Sequence, residues 1–422
     1  MATGRCKLES VLESLILQYE EDSKNEMTTT AYTENQKTDQ QQRTSDRMSE
    51  LPCHVAMDIF GKLPIQSIVY CRRVCKAWRD LILDPRFTRL HLKSAPILMF
   101  QFDSVKIYMV EPDACDGDAI TKVNNCCSYM PTSNTIRIVG SCNGLLCFQV
   151  DGLRCTIFHI SNPLTGECMT IPKIKAALTG GNYLCAFGFG FSSKTNLYKV
   201  IAMRCPQKIW DSSETSWHWH MEVEIYTVGT ATWRSTVCPA YHFLCGSSGI
   251  FLNGTLHWLA LDVNHTLVIC SFDIGNEQFQ TIPMPPFPIS SSDQQNELYR
   301  QKIGQLGGCL CIHACENLGS HSVVLWMMKD YGIKESWTKE LVFEDRRWQY
   351  SRCTGEWVQL IRYSRNKETL LLHGYRLTDV ISWDPKTGNS RRLNDHGSRS
   401  RIRVFHHIPS FLSLEDVVMG EN

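Results

Sequence analysis

Three short stretches carry residues whose types and spacing could do chemistry. In "CLCIHAC", residues 309–315, Cys309, Cys311, His313 and Cys315 alternate along one strand face, the residue types of a zinc or thiol site. In "WHWHMEVE", residues 217–224, His218, His220, Glu222 and Glu224 alternate in the same way and could hold a metal on an accessible concave face. In "CRRVCKAWRDLI", residues 71–82, Cys71 and Cys75 are spaced as a metal or redox pair could be.

Each has a structural reading beside the chemical one. Ligands on a straight strand diverge, so the three cysteines and His313 also read as small core residues. The polar set at 218–224 alternates with Trp219, Met221, Val223 and Ile225, the pattern of a strand with one buried and one solvated face. Cys71, Val74, Cys75 and Trp78 fall at i, i+3, i+4 and i+7, and Leu81 and Ile82 continue the series. That is one stripe of an α-helix, with Arg72, Arg73, Lys76, Arg79 and Asp80 left for the other side. The nearest further ligands, Cys53 and His54, lack the paired spacing of a zinc site. Other candidates are thinner. Cys142 has no base marked beside it, and "GFGFSSKT" (188–195) lacks the spacing of a phosphate loop and reads as a turn between strands. No metalloprotease, dinucleotide or hydrolase-elbow pattern occurs. The reading is of a chain without a catalytic site or cofactor, with a zinc or thiol site at 309–315 or 217–224 as the chemical alternative.

The elements that must position these residues change character along the chain. Residues 7–20 have helical spacing, and 1–21 reads as a short amphipathic helix able to lean on the body or to dock. Residues 22–47 offer almost nothing to bury and read as a disordered linker. Across 48–93 apolar residues recur at helical spacing, punctuated by Pro52, Pro64 and Pro85. Because proline suits a first helical turn, the expected helices are Pro52–Lys62, Pro64–Arg73 and Cys75–Leu83. Over 94–415 short alternating runs take over, separated by turn clusters at Asn143-Gly144, Asn162–Gly166, Asn253-Gly254, Gly307-Gly308 and Asp384–Gly388. An Asn-Gly or Gly-Gly followed by a leucine strand, then a second turn of the type "NPLTGE" or "DIGNEQ", recurs about every 50 residues. A hairpin pair repeated over more than 300 residues predicts a β-propeller of about six blades. The segment "FHHIPSFLSLEDVV" (405–418) offers a closing strand, and 416–422 reads as a tail.

Composition sets the outer bounds. The 422 residues carry 43 basic and 43 acidic side chains, so no global field draws nucleic acid or a membrane surface. Glu9 and Glu13 interrupt any apolar leader, and no apolar run approaches the roughly 20 residues that span a bilayer. The expectation is a cytoplasmic or nuclear protein whose 20 cysteines stay reduced.

Leu51-Pro52, Val55, Ile59, Leu63-Pro64, Ile68, Cys71, Val74-Cys75-Lys76, Trp78, Leu81-Ile82, Pro85 and Phe87 together closely resemble an F-box. Gln66-Ser67-Ile68 departs mildly, since the family more often has a basic residue and leucine there. "SCNGLLCF" (141–148), "NPLTGE" (162–167), "FGFGFSSKTNLYKVIAM" (187–203), "VEIYTVGTATWRS" (223–235) and "FLNGTLHWLA" (251–260) resemble the plant F-box-associated, kelch-like domain. The implied architecture is α+β and multidomain: a small three-helix F-box, then an all-β propeller. The implied partner is a Skp-type adaptor and, through it, a cullin scaffold, making the chain the substrate-recognition subunit of a ubiquitin ligase. The implied adaptor contacts are Leu51, Pro52, Val55, Ile59, Leu63, Pro64, Ile68, Val74, Cys75, Trp78 and Leu81. A non-degradative interaction protein is the alternative of a different class.

Physical reasoning points the same way. About 45 residues sit near the lower limit for folding alone, yet 48–93 carries apolar groups on nearly every turn, so some are expected to face outward until a partner covers them. Between Met48 and Lys93, eight Lys/Arg stand against four Asp/Glu, which suits a partner with an acidic surface.

Overall fold

The computed structural model describes residues 53–419 apart from linking stretches, the longest being 88–96, 111–119, 124–135, 175–182, 287–300, 345–357 and 393–401. The expected N-terminal helix and linker, and residues 420–422, lie outside the described residues.

The three expected helices form, each shorter at its ends: α1 Cys53–Phe60, α2 Ile65–Cys71 and α3 Lys76–Ile82. The third is separated from the second by a turn at 72–74, and Cys75 enters it in extended conformation. Proline before α2 and the β-region Cys75 before α3 both break helical continuity, which gives the three segments their separate directions.

Among the described residues, six sheets of four or five strands follow one another from Ile97 onward. Sheet 1 holds Ile97–Phe102, Lys106–Val110 and Ile120–Val123, completed by Ile402–His407 from the other end of the chain. That last strand runs antiparallel to the first, pairing Ile97 with His407 and Phe102 with Ile402, so a closing strand is present but overlaps the expected 405–418 segment only at 405–407. Sheet 2 is Ile136–Cys142, Leu145–Asp151, Thr156–Ser161 and Cys168–Thr170. Sheet 3 is Tyr183–Ser192, Leu197–Cys205, Glu222–Thr227 and Arg234–Val237, with Ser247–Ser248 added parallel to its first strand. Sheet 4 centres on Thr255–Leu261 and Leu267–Asp273, sheet 5 on Cys309–Cys315 and Ser322–Met328, and sheet 6 on Thr369–Gly374 and Val380–Trp383. Each sheet touches the next, and sheet 6 returns to sheet 1 through Thr369–Gly374 and Ile402–His407. This is a closed circle of antiparallel meanders.

The recurring turn phrases have one structural meaning each. Asn143-Gly144, Asn253-Gly254 and Gly307-Gly308 all have positive φ at both residues, the two-residue hairpin geometry that suits strand twist, and each joins the first and second strands of its sheet. The second phrase joins the third and fourth strands. There Asn162 Oδ1 accepts from Leu164 N–H, and Asp273 Oδ1 accepts from Asn276 N–H. In an antiparallel meander these first and third turns lie at the same end of every sheet.

Neighbouring sheets are also clamped by a device that no sequence pattern announced. "TIP" ends the fourth strand of sheets 2 and 4. Trp233 Nε1 of sheet 3 donates to Pro172 O (2.6 Å), and Trp337 Nε1 of sheet 5 donates to Pro283 O (2.9 Å). Trp258 Nε1 of sheet 4 reaches back to Phe187 O of sheet 3 (2.9 Å). Buried tryptophans satisfy their only donor while filling the space between sheets.

The C-terminal segment crosses the first-and-third-turn end. Asn162 Nδ2 donates to Ser410 O (2.9 Å) and Leu412 O (2.7 Å). Gly144 can only be glycine there, because a Cβ would stand 2.2 Å from Ser410 Cβ. Helix α4, Leu414–Met419, then buries Leu414 and Val417 against sheets 2 and 3, straddling the expected boundary between propeller and tail.

Candidate functional site

The helical module sits on that same end of the circle. Met57, Phe60, Ile65, Ile68, Ile82 and Phe87 share one core cluster with Ile97, Met99, Met109, Leu146, Leu164 and Phe411. Phe411 is fully buried, its ring 6.1 Å from that of Phe87, and the Arg72 guanidinium stands 5.9 Å from it. Arg72 Nη1 donates to Leu164 O at 2.9 Å, which ties the end of α2 to the third turn of sheet 2. One side of the module is therefore covered by its own chain. This corrects part of the expectation that its apolar surplus could be hidden only by a partner.

The other side stays open. Ile59 is 39% exposed, Tyr70 57% and Val74 38%. Val55, Leu63, Cys75, Trp78 and Leu81 are half-buried between the two sides. Trp78 packs edge-on against Phe60, centroids 5.2 Å apart, and its indole N–H is shielded from solvent with no acceptor among the described residues. Ile68, expected on the contact face, is fully buried: the helix turns it inward to the shared core, so it supports the outer surface rather than forming it. The burial of Leu51, Pro52 and Pro64 lies outside the described residues. Tyr70 is the exposed aromatic that sequence reading missed. Its signal was present, since Tyr70 stands four residues before Val74.

The cysteine and histidine stretches resolve differently. Cys309–Cys315 is one strand, as expected, with Cys311 and His313 buried and Sγ 3.9 Å from Nε2. Burial pushes the Cys311 thiol up to about 12 and lowers His313 to about 4, so neither a thiolate nor an imidazolium is available near neutrality. Burial likewise raises Cys142 and Cys147. The described parts of "WHWHMEVE" fall in two separate sheets. Trp217–His218 pairs with Ile209–Trp210, and a separate strand, Glu222–Thr227, belongs to sheet 3. Val223 and Ile225 are buried as expected, but Glu224 is buried too, because Arg204 lies 3.5 Å from Glu224 and 3.7 Å from Glu222. His220 falls outside the described residues. Among the described residues no group of three or more His, Cys, Asp or Glu is placed to hold a metal ion, and no helix is long and apolar enough to cross a membrane.

Comparison with known families matches these two parts separately. Residues 48–93 match the family described as F-box-like, and residues 97–417 match the F-box associated beta propeller domain. The chain is an F-box protein with an F-box-associated β-propeller. F-box protein At3g07870 of Arabidopsis thaliana is 29% identical over 83% of this chain and 88% of its own length. F-box protein CPR1 of the same plant is 26% identical over 77% and 80% respectively. Among solved structures, TolB from Acinetobacter baumannii aligns with 73% of this chain and 66% of its own at 9% identity, TM-score 0.42, a likeness too loose to bear on function. The F-box match covers α1–α3, and the propeller match covers the six sheets and most of α4.

Proposed function

We propose that this F-box protein is the target-selecting subunit of a Skp-cullin-F-box type ubiquitin ligase, in which α1–α3 dock on a Skp-type adaptor and the propeller holds the target. The observation that carries the reading is the outer side of α1–α3. Within a segment matching the F-box, Ile59, Tyr70 and Val74 stay exposed while the inner side is fixed to the propeller. Exposed apolar residues in a segment with eight Lys/Arg against four Asp/Glu have the make-up of a protein interface, with apolar anchors for affinity and charges for orientation. Of the contact set inferred from the family, Val55, Ile59, Leu63, Val74, Cys75, Trp78 and Leu81 carry the contact together with Tyr70, and Leu51, Pro52 and Pro64 extend it. We read each of the six sheets as one blade. Catalysis belongs to other subunits, and this chain works by holding a target lysine near the charged ubiquitin carrier. Nucleus or cytoplasm suits that work.

At one end, sheet 2's turns at 143–144 and 162–167 are taken up by the F-box and the C-terminal segment. Target contact is therefore assigned to the opposite end, where the loop between Leu261 and Leu267 leaves Val263 70% exposed.

Capture of a purified Skp-type adaptor by the full chain tests the docking face. Ile59→Asp with Val74→Asp is expected to weaken capture at least about 30-fold, the loss typical of one interface hot spot, with the thermal midpoint unchanged. Capture at wild-type strength would remove the proposed face. Adaptor binding without chain-dependent ubiquitin transfer to a bound target would favour the non-degradative alternative.

A further inference from the structure

Where α2 meets α3, beside the third turn of sheet 2, the chain encloses a cleft of about 540 Å³, within the size range of small-ligand sites. Its walls include Arg72, Arg73, Lys76 and Arg79 from the F-box and Leu164 and Thr165 from the propeller. Four cations line it and no carboxylate does. Of the nearby carboxylates, Glu167 is held by the C-terminal segment, and Asp80 pairs with Arg79. Glu167 accepts from Leu414 N–H at 2.7 Å and lies 3.5 Å from Ser413 Oγ, and Asp80 is an exposed partner 3.8 Å from Arg79.

Burial is the largest cost to the Arg72 charge, and Glu167, outside the cleft lining, offsets it only in part. Arg73 and Arg79 each act unfavourably on the Arg72 guanidinium, which is already half-buried. Arg72 cannot swing away, because Nη1 is held by Leu164 O and its plane lies by Phe411. Its Nε is shielded from bulk solvent and has no acceptor among the described residues. Thr165 Oγ1 accepts from Glu167 N–H at 3.3 Å, leaving its own proton to donate. A concave site with three guanidiniums, one ammonium and a hydroxyl matches phosphate oxygens, which guanidinium forks hold two at a time. Val69 and Leu164 are the aliphatic residues in its lining. The four cations converge on one concave cleft in a chain of net charge zero, whereas nucleic acid calls for an extended basic track.

We propose that the cleft between α2–α3 and the 162–167 turn binds a compact polyphosphate, a small soluble ligand carrying two or more neighbouring phosphates. Since its walls come from both domains, the bound ligand braces the F-box against the propeller. The inference stands apart from the ubiquitin-ligase reading.

The test is titration of the full chain with inorganic tripolyphosphate at low ionic strength, by calorimetry and thermal shift. Saturable one-to-one binding is expected, with the thermal midpoint raised by about 2 °C or more at saturation. Arg73→Glu with Arg79→Glu, both on exposed side chains, should weaken binding at least about 10-fold while the ligand-free midpoint stays put. Ile59→Asp with Val74→Asp should bind tripolyphosphate as the parent does, so loss of adaptor capture and loss of this site are separable. Three results would overturn the proposal: no saturable binding, an equal response to sulfate at matched ionic strength, or undiminished binding by the Arg73/Arg79 variant. Displacement of tripolyphosphate by a Skp-type adaptor would do so as well, because the cleft would then belong to an acidic protein surface.

Discussion

In sheet 3 four consecutive residues, Val200, Ile201, Ala202 and Met203, are all fully buried, whereas along α1 burial and exposure alternate within a single turn. The strand is covered on both faces by neighbouring sheets and by its own partners, so the circle needs nothing from outside to complete its core. The helices cover one side on Phe411 and Leu164 and leave the other to solvent. The difference shows that the two domains are stabilised independently in kind: the propeller by closure, the F-box by docking.

That contrast can be broken from either side. Phe411→Ala removes a fully buried ring from the shared core and should cost about 3–5 kcal/mol by denaturation. Hydrogen exchange should then quicken in 53–87 and not in 183–205. Equal loss in both would mean that the domains unfold as one. Lys199→Ala should act on the circle instead. Lys199 Nζ, almost fully buried in sheet 3, donates to Ile274 O (2.8 Å) and Glu277 Oε1 (2.6 Å) of sheet 4, where Arg234 also pairs with Glu277. Burial would raise the Glu277 carboxyl, but its bonds to Arg234 and Lys199 prevail and hold it below the usual range. With Arg234 still in place, the expected loss is about 2 kcal/mol, and protection in 53–87 should not change.

Acid sharpens the same distinction more gently. Burial lowers His257 and His313 to about 4 and His407 to about 3, all in the sheets. A histidine kept neutral by the fold adds stability above its unfolded pKa near 6.5. That contribution is lost as pH falls from there toward 4, because the unfolded chain takes up the proton first. Each such histidine steepens the decline by up to about 1.4 kcal/mol per pH unit. His257→Gln should flatten the curve by that amount below pH 6.5, and an unchanged curve would deny its buried, neutral state. The smallest effect belongs to Gly254→Ala. Nothing lies within 4 Å of the added methyl, so only the left-handed φ of +78° is strained, costing about 1 kcal/mol without loosening either domain.

What could be read in the sequence follows the range of the forces involved. Helix positions were legible to within about three residues at each end because proline and apolar spacing act locally. The turn phrases were legible because Asn-Gly and Gly-Gly meet a backbone demand that few residues satisfy. The inward turn of Ile68 was not legible, since the surface that covers the module includes Phe411, more than 300 residues away. The burial of Glu224 was hidden for the same reason: its partner Arg204 comes from a neighbouring strand rather than from the local alternation. The tryptophan-to-proline clamps depend on which sheet neighbours which, and no window along the chain contains both partners.

The closing strand has a consequence for how the protein is made. The F-box is synthesised before the propeller, and one part of the floor it rests on, Phe411, follows more than 300 residues later. A chain interrupted before residue 402 thus holds its helices on an incomplete seat and its first sheet without an end partner. Such a chain exposes both an apolar helical face and an unpaired strand edge, the two marks by which unfinished proteins are retained and removed.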